Sequence, residues 1–116
     1  MRTIVHDPDR ILPRRLLESW EGARPVADLE DVTATLGDDA VLVVAAPSSR
    51  CADVCRQLRK IDDFVPLLAV VDTVDTDIRI GCLLAGADDV LPVDAEPSEW
   101  RLRLKALARR RGVPWL

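Results

Sequence analysis

The sequence predicts an α/β domain: a parallel β-sheet with helices packed on both faces. Three observations predict it. Short apolar or β-branched runs alternate with longer stretches of helical periodicity, five times over along 116 residues. Two of the runs, "AVLVVAA" (40–46) and "VPLLAVV" (65–71), are apolar throughout, the mark of strands buried on both faces. Proline and glycine punctuate the helical stretches, with Pro13 and Pro97 near helix starts and Gly22, Gly37 and Gly86 at helix ends. Five strands, each followed by a helix, imply parallel pairing through right-handed crossovers.

The elements follow in order. "RTIVHD" (2–7) reads as a β-branched first strand, and "RILPRRLLESWEG" (10–22) as a helix starting near Pro13 and stopping at Gly22. "RPVADL" (24–29) is a weak second strand, and "LEDVTATLG" (29–37) a short helix closed by Gly37. The third strand, 40–46, leads into "PSSRCADVCRQLRK" (47–60), where a serine is expected to cap a helix that turns Val54 and Leu58 inward. The fourth strand, 65–71, precedes "DTDIRIGCLLAG" (75–86), a helix with a glycine stop. "DDVLPV" (88–93) is the fifth strand and "EPSEWRLRLKALARRRG" (96–112) the last helix. Strands three and four, the most apolar, are expected at the centre, which suits a flavodoxin-like doubly wound sheet of order 2-1-3-4-5. The domain is expected to span 1–111, with 112–116 opening a linker or tail in which Trp115 and Leu116 are unusually apolar.

Composition narrows the function classes. With 48% hydrophobic and 31% charged residues the chain can bury a normal core. No apolar run approaches the roughly 20 residues needed to span a bilayer, and no signal segment follows the start, so a cytoplasmic protein is expected. A net charge of −4 argues against nucleic-acid binding by this domain. Cys51, Cys55 and Cys82, an odd set, are expected to be reduced thiols. Cys51 and Cys55 share a helix face, but two thiols do not complete a zinc site, and no metal or cofactor is expected.

In a doubly wound sheet a ligand site lies beyond the C-terminal strand ends. The residues arriving there are His6, Asp7 and Asp9, then Val43, Val44 and Ala45, then Val71 and Asp72, then Val93 and Asp94. The five glycines form no phosphate-binding motif. Ser48 and Ser49 lack a neighbouring histidine to activate them and are better explained by helix capping. His6 is expected as a partly exposed strand-end histidine rather than a general base. An enzyme is not expected.

"VCRQLRK" (54–60), "VPLLAVV", "AGADDVL" (85–91) and "WRLRLKALARR" (100–110) follow in an order and spacing that resembles the receiver domain of bacterial response regulators, over residues 3 to 111. That resemblance implies Mg²⁺ held by an acidic cluster ending strand one and a phosphoryl group accepted by an aspartate ending strand three. It also implies a Ser/Thr after strand four and a lysine after strand five. In this sequence the phosphoacceptor place falls on Val43 or Val44, the Ser/Thr place on Val71, the lysine place on Val93, and the acidic pair is reduced to His6 and Asp7. Valine offers no oxygen ligand and no nucleophile, so an atypical receiver with a degenerate pocket is expected.

The last two helices carry a different signal. At about 100° per residue, Trp100, Leu104, Leu107 and Ala108 form the stripe that faces the sheet. Glu99, Arg103, Ala106 and Arg110 form a second stripe, flanked by Leu102. In the preceding helix Ile78, Cys82 and Ala85 face inward, leaving Arg79, Ile80 and Leu83 outside. With Asp88 and Asp89 between them, these faces form a self-complementary patch suited to a two-fold dimer. Receivers of the OmpR/PhoB type dimerise through the fourth helix, fifth strand and fifth helix, which by resemblance implies a role for Arg79, Ile80, Leu83, Asp88, Asp89, Glu99, Arg103, Lys105 and Arg110. Arg79 is expected to meet Glu99 across the two-fold, and Asp89 to meet Arg103; Arg101 departs from the family's apolar preference. The expected function is a phosphorylation-independent homodimerisation module, the N-terminal part of a transcription regulator whose DNA-binding domain lies outside these residues. A stand-alone adaptor using the same face, and a small-molecule sensor using the valine-lined pocket, are the alternatives.

Overall fold

A computed structural model of the chain describes residues 2–19, 23–37 and 39–110. The expected helix stop at Gly22 and the tail from 111 to 116, with Trp115 and Leu116, lie outside the described residues. Ten elements alternate: β1 (Arg2–His6), α1 (Arg14–Ser19), β2 (Ala23–Pro25), α2 (Leu29–Thr35), β3 (Ala40–Ala45), α3 (Cys51–Ile61), β4 (Leu67–Val71), α4 (Thr76–Leu84), β5 (Asp89–Pro92) and α5 (Pro97–Arg110). The sheet is parallel throughout, in the order β2-β1-β3-β4-β5. This is the doubly wound arrangement expected of the sequence.

Strand alternation divides the core into two layers. Ile4, Leu42, Val44, Leu67 and Val71 pack beneath α2, α3 and α4, where they meet Val32, Cys55 and Cys82. Val5, Val41, Val43, Leu68 and Val70 face the other way, toward Leu16 of α1 and Trp100 and Leu104 of α5. Every residue of β3 and of β4 is buried, which is why those runs carry no polar alternation. Trp100, fully buried, donates its indole N–H to the Ala95 carbonyl at 3.0 Å, so the largest core side chain leaves no polar atom unsatisfied.

Some element ends differ from expectation for identifiable reasons. No serine side chain caps α3: Arg50 is the cap residue, and the Pro47 carbonyl takes the Arg50 and Cys51 N–H groups at 2.9 and 3.0 Å. At α4 the cap is Asp75, which accepts from Ile78 N–H at 2.8 Å. Gly86 ends that helix at φ 118, a conformation that disfavours any side chain, and a Cβ there would lie 2.4 Å from Arg59 Cγ.

Arg59 is the reason that turn is so tight. Its guanidinium donates to the Gly86, Val65 and Asp62 carbonyls at 2.8, 2.7 and 3.3 Å and to Asp88 Oδ2 at 3.1 Å. Asp88 Oδ2 also accepts Leu67 N–H at 2.9 Å, and the pair is mostly buried, at 11% and 17% side-chain exposure. Removing one partner leaves a poorly solvated charge. Arg59→Met or Asp88→Asn is therefore expected to lower unfolding free energy by about 3 kcal/mol in urea titrations. A loss below about 1 kcal/mol, the range of exposed pairs, would show the knot to be peripheral.

The three cysteines are free and buried in the layer under α3 and α4. Burial pushes the Cys82 thiol up to about 12, and a hydrogen bond to Cys55 together with burial raises Cys51 as well. Thiolate at Cys51 and Cys82 is thus scarce at neutral pH. Alkylation by iodoacetamide at pH 8 is expected only when the chain unfolds, and rapid labelling without denaturant would contradict this burial.

Candidate functional site

The C-terminal edge of the sheet gathers the loops after β1, β3, β4 and β5, and the structure spends its polar groups there on itself. His6 is buried at 5% exposure, and its Nδ1 donates to the Val26 carbonyl at 3.1 Å, since a carbonyl can only accept. This corrects the expectation of a partly exposed histidine: β1 points its side chain into the α2–α4 layer, beside the strand's own neighbour. Asp7 accepts Ile11 N–H and Leu12 N–H at 2.9 and 3.0 Å, and its carbonyl takes Arg10 N–H at 3.1 Å. That wrap holds Arg10 at φ 54, a left-handed conformation that costs a non-glycine residue about 1 kcal/mol.

Two further contacts stitch the loops together. Arg50, after β3, pairs with Asp9, after β1, at 2.7 Å. Asp72, after β4, accepts Ser48 N–H at 2.8 Å and Thr73 N–H at 3.0 Å. The Ser48 amide holds the Asp72 carboxyl below its ordinary value. Serine capping of α3 is replaced by this: Ser48 serves the loop junction through its backbone.

The valines do not converge. Val44 and Val71 lie in the layer beneath α2–α4, whereas Val43 and Val93 belong to the layer of α1 and α5. The expected single pocket lined by Val43, Val44, Val71 and Val93 is thus divided by the sheet itself. Among the described residues no group of three His, Cys, Asp or Glu side chains is placed to hold a metal ion. Nor does any residue of β3 carry a nucleophile.

The second region is the outer surface of α4, β5 and α5. Ile80, Leu83 and Leu102 stand exposed at 49%, 43% and 65%. Leu84 is more exposed than any of them, at 84%, and sequence reasoning missed it. Its place four residues after Ile80 is the signal that could have found it. Asp88 does not belong to this surface. Neighbouring strand residues point opposite ways, and Asp88 turns to Arg59 while Asp89 turns outward. Asp89 Oδ1 accepts Val90 N–H at 2.8 Å, and Arg79 reaches the Val90 carbonyl at 3.5 Å, so both side chains cover the open edge of β5.

The expected contact between Asp89 and Arg103 of another copy is made within one chain, at 3.5 Å, with Glu99 at 3.6 Å from the same guanidinium. Glu99 and Arg103 are one helical turn apart, which brings them together locally. Ala106 and Arg110 continue that row along α5. Lys105, two residues from Arg103, lies about 200° round the helix and so on the opposite flank.

Five parallel strands in this order, with helices on both faces, make the flavodoxin-like fold that receivers share. Fold and sequence together mark the chain as a response regulator receiver domain. It is 36% identical over 118 aligned residues to the response regulator MprA of Mycobacterium avium (strain 104), and the match covers 95% of this chain and 52% of that protein. The chain thus spans about half the length of the curated relatives it matches. Among solved structures it resembles an atypical orphan response regulator whose structure revealed a phosphorylation-independent regulatory mechanism, with TM-score 0.73 at 15% identity over 94% of this chain and 96% of that one. It also resembles a two-component response regulator of the LuxR family from Aurantimonas sp. SI85-9A1, with TM-score 0.70 at 21% identity over 93% and 85% of the two chains. No protein-family model matches the chain.

Because hydrogen bonding lowers the Asp72 carboxyl from 3.8, its contribution is fully present above pH 3.8 and is lost as pH falls through the lower folded value. Amide shifts of Ser48 and Thr73 are expected to titrate together below pH 3.8, and Asp72→Asn to abolish the inflection. An inflection at or above 3.8 would mean that the loop junction does not hold in solution.

Proposed function

We propose that this chain is a phosphorylation-independent receiver that works as a homodimerisation module through α4, β5 and α5. In this reading it is the N-terminal regulatory part of an OmpR-type transcription regulator acting in the cytoplasm. DNA is bound by a domain outside these residues, and neither a membrane nor a cofactor takes part. One observation carries the proposal: where a receiver holds its acceptor and switch residues, this chain has the buried valines Val43, Val44 and Val71 and the partly buried Val93, with loops tied by Arg50–Asp9 and Asp72–Ser48. β3 offers no carboxylate that could attack a phosphoryl donor, and the loop after β4 is already held. An equilibrium that phosphorylation would otherwise bias is then fixed by sequence.

The exposed apolar side chains Ile80, Leu83, Leu84 and Leu102 supply the centre of the proposed interface. Exposed ion pairs contribute up to about 1 kcal/mol each and act chiefly on register. Arg103, bound to Asp89 and Glu99 of its own chain, holds those carboxylates in place at the rim, while Arg79 and Arg110 remain to meet the partner. The small-molecule sensor reading loses its basis, because the valines meant to line one pocket sit on opposite faces of the sheet.

Sedimentation equilibrium of the 116-residue chain, without Mg²⁺ or phosphodonor, tests the proposal. A dimer is expected whose dissociation constant is unchanged by Mg²⁺ with acetyl phosphate. Ile80→Glu is expected to weaken it by about tenfold or more, because a carboxylate would be buried without a partner. A monomer at high micromolar concentration, or dimerisation that depends on the phosphodonor, would overturn it.

A further inference from the structure

We propose that the flank of α5 turned away from β5 docks an acidic protein segment, recognised by the basic row Arg101, Lys105 and Arg109. The three are exposed and recur at every fourth residue, so they project to one side at steps of about 6 Å along the helix. Among the described residues none of them makes an ion pair or a side-chain hydrogen bond. The contrast with Arg103, on the other flank, is direct: that guanidinium is neutralised by Asp89 and Glu99.

The row is a local reversal of the chain's charge. The chain carries −4, yet within α5 Glu99 is the only acid beside five cations. Exposed carboxylates collect instead on the opposite layer, as Asp28, Glu30 and Asp31 around the start of α2, Asp53 on α3, and Asp75 and Asp77 at the start of α4. On α1, which shares the layer of α5, Arg14 is paired with Glu18 and Arg15 adds a further exposed cation.

The extent of the row selects its partner. Nucleic acid requires a broad basic surface that follows its backbone. This one is three cations long, and exposed Asp94 and Glu96 precede the helix and would repel a polyanion running past its start. A partner helix with Asp or Glu at every fourth position has the same repeat of about 6 Å and no charge beyond the row. The row and Arg103 lie on opposite flanks of α5, with Leu102 between them, beside Lys105 and Arg109.

The test is fluorescence anisotropy of the 116-residue chain with a fluorescein-labelled helical peptide bearing glutamates at three positions four residues apart. An isomeric peptide with the same glutamates spread round the helix, and a short DNA duplex, are the comparison probes. The in-row peptide is expected to bind best at low salt, and to lose about tenfold in affinity at physiological salt or when Arg101, Lys105 and Arg109 are all changed to Glu. Arg103→Glu is expected to change the affinity less than twofold, within the scatter of a distant site. Lys105→Glu alone, checked for fold by circular dichroism, replaces the triple variant if that fails to fold. Equal binding of the two peptides, equal binding to the charge-reversed chain, or tighter binding of the duplex would each overturn the proposal. None of these outcomes depends on whether the chain dimerises through the other flank.

Discussion

Arg59 holds together three segments that the sheet alone does not fix. Its guanidinium binds the end of α3, the entry to β4 and the turn between α4 and β5 through Asp62, Val65 and Gly86, and ties all of them to Asp88. Its planar fork suits the task, because several rigid donors can meet carbonyls arriving from different directions, as a lysine ammonium cannot. Asp88 completes the knot by accepting the first N–H of β4, so a charged pair joins the start of that strand to the segment leading into β5. The α4–β5–α5 surface depends on this knot, since it fixes how α4 ends and where β5 begins.

The opposite edge of the sheet is organised by a different balance. β3 and β4 are apolar to their last residue, and burying a valine contributes roughly 1.5–3 kcal/mol relative to leaving it exposed. A cluster of carboxylates at the same place would add mutual repulsion and need a cation to relieve it. Here Asp7 and Asp72 are given backbone N–H partners and Asp9 a guanidinium, while Asp94 stays exposed. The loops at this edge are thereby tied to one another by the chain's own groups.

Most of the fold was legible because its causes are local. The apolar runs became the central strands, the stripe Trp100, Leu104 and Leu107 became the buried side of α5, and Gly86 stopped α4. At the C-terminal edge the sequence showed which side chains arrive, Val43, Val44, Val71 and Val93 among them, but not that the sheet divides them between two layers. What the sequence hid was direction. Asp88 and Asp89 look equivalent as a pair, yet one strand step sends them to opposite faces, and only the long-range partner Arg59 shows which is which. His6 was misjudged for the same reason, its partner being a carbonyl 20 residues away. Lys105 was grouped with Arg103 by the family resemblance, although two residues along a helix is nearly the far side.

These directions also decide how α5 is divided. One flank carries Arg103 between two carboxylates beside the covered edge of β5, and its charges are internally balanced. The other flank carries cations with no internal partner. An exposed charge left unpaired costs the fold little, so packing alone gives no reason for three of them to recur at helical spacing. A balanced, apolar-centred flank favours a second copy of the same surface, because like charges are already neutralised before the copies meet. An unbalanced flank favours something of the opposite charge. On the proposed reading, two different surfaces of one helix are read at once: one sets the oligomeric state, the other selects a partner.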